Sequence, residues 1–113
     1  MTEQAYISAI RSFYLQLPNT HRSFSRSDRQ LAIDLYHRSV PFETVHSALL
    51  LATARRICRD PAAHPLPPVR SLYYFLPVIN EILAQPLPKG YIDYVEYKLA
   101  QRKLQLRISL ENR

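Results

Sequence analysis

The chain has 113 residues, 47% of them hydrophobic and 21% charged, with a net charge of +6. That is the length of one domain and the composition of a folded one, not of a disordered tail. One Gly against nine Pro excludes a Gly-rich phosphate loop, a dinucleotide-binding fingerprint and a series of glycine-containing β-hairpins.

The prolines divide the chain into segments with helical, 3.6-residue patterning. The first runs from Thr2 to Leu17. Thr2 is a cap residue, Glu3 favours the helix dipole, and Tyr6, Ile10, Phe13 and Leu17 form one apolar face. Pro18 and Asn19 end it, and a polar loop follows to Phe24. The second helix starts at Ser25, which forms a capping-box pattern with Asp28. It continues to about Ser39, with Leu31, Leu35 and Tyr36 inward.

Val40-Pro41 breaks the chain before a third helix from about Phe42 to Arg59. Its apolar middle, Ala48 to Ala52, marks it as the central helix. Cys58, the single cysteine, reads as a buried small hydrophobe at its end. With one cysteine no intrachain disulfide forms, which fits a reducing, cytoplasmic setting. Uninterrupted apolar stretches such as Ala48–Ala52 reach only five residues, too short for a membrane span.

Asp60 to Pro68 is a stiff, proline-rich connector. Val69 to Ala84 then reads as one helix kinked at Pro77, with Leu72, Phe75, Leu76, Ile79 and Leu83 inward. The other reading is a short turn before a helix that starts near Leu76. After Pro86, Pro88 and Gly90, a last helix begins near Tyr91 and extends to about Leu110. Ile92, Val95, Leu99, Leu106 and Leu110 fall on one stripe, and Tyr97, Leu104 and Ile108 on a second, roughly opposite. The second stripe is either a fraying tail or a partner-docking or dimerising face. The expected fold is all-α: a single-domain bundle of about five helices, with 91–113 its terminal helix.

No chemistry-bearing constellation stands out. His21, His37, His46 and His64 are not paired at i, i+3 or i+4, and the acidic residues have ordinary structural explanations. No catalytic residue, metal or cofactor is expected. The basic residues carry more information, because Arg outnumbers Lys twelve to three. Arg forks suit phosphates, and a domain with this charge is attracted to polyanions.

Arg22, Arg26 and Arg29 surround the start of the second helix among serines, where free N–H groups also suit phosphate oxygens. The alternative is that these arginines pair with Asp28 or Asp34. Arg55 and Arg59 end the third helix, where they complement its dipole or contact nucleic acid. Arg70 precedes Tyr73 and Tyr74, whose rings stack bases or edge the core. A helix-turn-helix reading of the second and third helices gives a poor recognition surface, because Glu43, Thr44, His46 and Ser47 open the third helix.

The spacing of Leu31–Leu35, Val40-Pro41-Phe42-Glu43, Val45, Ala48 and Ala52, then Ser71-Leu72-Tyr73-Tyr74-Phe75-Leu76 with Ile79, resembles the C-terminal helical domain of DnaD-like primosome and phage replication proteins. The resemblance covers about residues 28–83. It implies single-stranded DNA binding and a role in helicase loading. Ser39 stands where that family usually has Gly, the connector is proline-rich, and Pro77 interrupts the fourth helix. The expected function is a small basic accessory protein that binds nucleic acid, taken as DNA, in replication or a mobile element. The alternative is an interaction subunit that docks through its last helix.

Overall fold

In a computed structural model, the described residues are 1–18, 20–59, 62 and 66–111, with side chains described through residue 102. Five α-helices run in chain order among them: α1 (Glu3–Gln16), α2 (Arg26–His37), α3 (Phe42–Ile57), α4 (Leu76–Ala84) and α5 (Tyr91–Glu111). A 3₁₀ turn, Leu72–Phe75, leads directly into α4. The domain is all-α, as its patterning predicts.

The helix starts follow the cap chemistry. The Thr2 hydroxyl accepts the N–H of Ala5 at 3.1 Å. At α2 the capping box is reciprocal: Ser25 Oγ accepts the Asp28 N–H at 3.1 Å, and the Asp28 carboxylate accepts the Ser25 N–H at 2.9 Å. At its far end α2 closes with crossed bonds, Ser39 N–H to Tyr36 O and Val40 N–H to Leu35 O. Ser39 adopts the left-handed conformation this motif requires, with φ 59°. That explains why a glycine would be at home there.

α3 is the central element. It packs against α1, α4, α5 and the 3₁₀ turn, and Val45, Ala48, Leu49, Leu50, Leu51, Ala52 and Thr53 are buried along it. The buried Thr53 hydroxyl donates to the Leu49 carbonyl at 2.7 Å. α1 lies across α2 and α3, where the buried Tyr6 hydroxyl donates to the Val40 carbonyl at 2.9 Å. This bond ties α1 to the α2–α3 turn.

Several expectations need correction. There is no kinked helix over 69–84. Val69 lies in an extended segment, and α4 begins at Leu76 with Pro77 in its first turn, where a missing N–H costs nothing. The 3₁₀ turn also changes the buried face. It advances about 120° per residue against about 100° in an α-helix, which aligns Leu72, Phe75, Ile79 and Ile82. Those four are buried, whereas Leu83 is 41% exposed. α3 stops at Ile57, so Cys58 becomes its C-cap and is exposed, not buried.

Candidate nucleic-acid interface

The start of α2 joins two stretches distant in sequence. The loop before α2 runs beside the extended segment before the 3₁₀ turn. Thr20 and Val69 form a parallel bridge, and the His21 N–H donates to the Val69 carbonyl at 2.6 Å. Asp28 completes the junction. Its carboxylate is fully buried and accepts from the Ser25 N–H, the Ser71 hydroxyl at 3.0 Å and the Leu72 N–H at 2.9 Å. Ser71 Oγ in turn accepts the Tyr73 N–H at 3.1 Å. The clamp fixes the segment carrying Arg70 against the helix start carrying Arg26 and Arg29, with Arg22 on the bridged loop.

Asp28 therefore forms no ion pair with its basic neighbours. Its oxygens face inward to backbone and hydroxyl donors, while Arg22, Arg26, Arg29 and Arg70 are all exposed. Asp34, the other acid on α2, accepts from Gln30 Nε2 at 3.0 Å. Among the described residues Arg55 pairs with Glu81 and the His37 ring lies 3.2 Å from the Glu3 carboxylate, and neither contact touches these four arginines. The start of α2 thus presents four uncompensated guanidinium groups, with the His21 and Ser23 side chains 3.0 Å apart beside them.

The other expected contacts are placed differently. Arg55 makes a two-pronged bond to Glu81 on α4, at 2.9 and 2.8 Å. This bond holds the Arg55 guanidinium above its ordinary pKa and the Glu81 carboxyl below its own. Glu81 is thus the partner of Arg55. Arg56 lies over the Tyr74 ring, 5.1 Å from its centroid, and donates to the Tyr74 hydroxyl and the Pro67 carbonyl. Arg59 is half-buried just beyond α3. Tyr73 is 45% exposed and has no ring or cation partner among the described residues.

The opening residues of α3 form no reading surface. His46 packs between Phe13 and Phe42, and Glu43, Thr44 and Ser47 line a groove with the α4–α5 connection. On α5, Val95 and Leu99 are buried and Ile92 half-buried, as the first stripe predicts. Tyr97 is exposed; the side chains of Leu104 and Ile108 lie outside the described residues. Among the described residues no three His, Cys, Asp or Glu side chains gather as a metal site, and no helix is long and apolar enough to cross a membrane.

Compared with protein-family models, curated proteins and solved structures, the chain matches none.

Proposed function

We propose that this chain is a nucleic-acid-binding accessory domain that holds phosphates at the start of α2 and performs no reaction on them. The observation that carries this reading is the inward turn of Asp28, which leaves Arg22, Arg26, Arg29 and Arg70 without an ion-pair partner among the described residues. An exposed guanidinium already paired to a carboxylate, such as Arg55, gains less from a phosphate than one that is not. The +6 net charge adds long-range attraction for a polyanion. The DnaD-like spacing over residues 28–83 supports DNA as the polymer, and replication or a mobile element as the cytoplasmic setting.

Binding to labelled duplex and single-stranded DNA across salt concentrations tests the reading. Four phosphate contacts release enough counterions for a log–log slope of about −3.6 on duplex and about −2.8 on a single strand. Absence of binding to either at low salt, or binding indifferent to salt, would overturn it.

A further inference from the structure

α5 has two seams, and the fold uses one. Ile92, Val95 and Leu99 face α3. Roughly opposite, at about 100° per residue, lie Tyr94, Tyr97 and Gln101, spaced three then four. Tyr94 and Tyr97 are 54% and 59% exposed, and Gln101 is exposed with its amide donating to the Tyr97 hydroxyl at 2.8 Å. In the sequence, Leu104 and Ile108 continue the same three-four spacing. An alternating three-four repeat is the seam of a two-stranded coiled coil, with Gln101 as its one polar member. The residues flanking such a seam decide which helix it accepts. Here Asp93 stands on one flank and Lys98 on the other, both exposed, and five positions apart.

We propose that the outer seam of α5 docks a second copy of α5 as a parallel coiled-coil dimer. In a parallel pair, Asp93 of one copy falls beside Lys98 of the other, twice by symmetry, so the charges favour self-pairing. α3 packs on the opposite side of α5, which leaves Tyr94, Tyr97 and Gln101 open to a partner. Lys98, which in the single chain sits 5.8 Å from the Tyr94 ring centroid, turns toward the partner's carboxylate. The dimer carries two α2 sites, but the inference does not depend on what those sites hold.

The test is sedimentation equilibrium of the full chain, free of nucleic acid, over a range of concentrations. A reversible monomer–dimer equilibrium is expected. Tyr97→Glu should abolish it while leaving the unfolding midpoint at low concentration unchanged, since Tyr97 is exposed. Gln101→Leu should tighten it about tenfold by removing the polar seam residue. Asp93→Lys should weaken it, and the double variant Asp93→Lys with Lys98→Asp should restore it, which keeps the test decisive even if Tyr97→Glu fails to fold. A chain that stays monomeric at every concentration, Gln101→Leu included, would overturn the proposal. So would a dimer indifferent to Tyr97→Glu and to the charge exchange.

Discussion

The carboxylate of Asp28 accepts the backbone N–H of Leu72 at 2.9 Å, a bond between residues 44 positions apart. The same side chain caps its own helix through Ser25, so one buried acid both starts α2 and anchors the 3₁₀ turn. Removing it leaves the buried N–H of Leu72 and the half-buried hydroxyl of Ser71 without their acceptor. Asp28→Ala should cost about 3–5 kcal/mol. Asp28→Asn keeps one acceptor oxygen and should cost about 1–2 kcal/mol. Urea midpoints of the two variants check this; equal losses would show that the clamp contributes little.

Ser39 holds a left-handed backbone at the end of α2. A side chain there costs roughly 1 kcal/mol, which glycine avoids, offset in part by glycine's greater freedom in the unfolded chain. Ser39→Gly should therefore stabilise the domain by about 0.5–1 kcal/mol and raise the melting temperature by about 2–5 °C. A lower melting temperature would contradict this description of the turn.

Two buried tyrosines should respond oppositely to loss of the hydroxyl. Tyr6 donates to the Val40 carbonyl, so Tyr6→Phe leaves a buried acceptor bare and should cost about 1–2 kcal/mol. The Tyr14 hydroxyl is buried with no hydrogen-bond partner among the described residues, while its ring packs edge-on against Phe24 and Phe75. Tyr14→Phe keeps the packing and discards the unsatisfied group, so stability should hold or rise. Thermal unfolding of both variants decides the matter, and a large loss for Tyr14→Phe would count against the placement of that hydroxyl.

The same two phenols set the behaviour in alkali. Burial pushes Tyr6 up to about 12, and burial together with the nearby Asp28 carboxylate pushes Tyr14 to about 12. In the unfolded chain both ionise near 10. Between those values the unfolded state loses protons that the folded state keeps, so stability intact below pH 10 falls as pH rises from about 10 toward 12. Urea midpoints against pH should fall less steeply over that window for Tyr6→Phe than for the wild type. Parallel curves would contradict the shift.

Much of the architecture was legible because it rests on local rules. Thr2, Ser25 with Asp28, and the apolar centre of α3 announce their helices through caps and spacing within a turn or two. Pro77 was compatible with two local structures, and only the packing of Leu72 and Phe75 in a tighter turn chooses between them. Cys58 shows how a boundary shift of two residues reverses burial at a helix end. At the candidate site the arginine cluster was visible, but its lack of counter-charge was not. That depends on Ser71 and Leu72 drawing Asp28 inward, and hydrogen bonds between distant segments leave no period in the sequence. The Arg55–Glu81 pair was hidden for the same reason.

The most direct test of phosphate binding at the start of α2 is the salt dependence of DNA affinity in three proteins. The wild type should show a duplex slope of about −3.6, and a chain with Arg22→Ala, Arg26→Ala and Arg29→Ala about −0.9, with much weaker binding at low salt. Arg55→Ala, which removes a cation already held by Glu81, should match the wild type. A triple variant that keeps the wild-type affinity and slope would contradict the assignment of this surface.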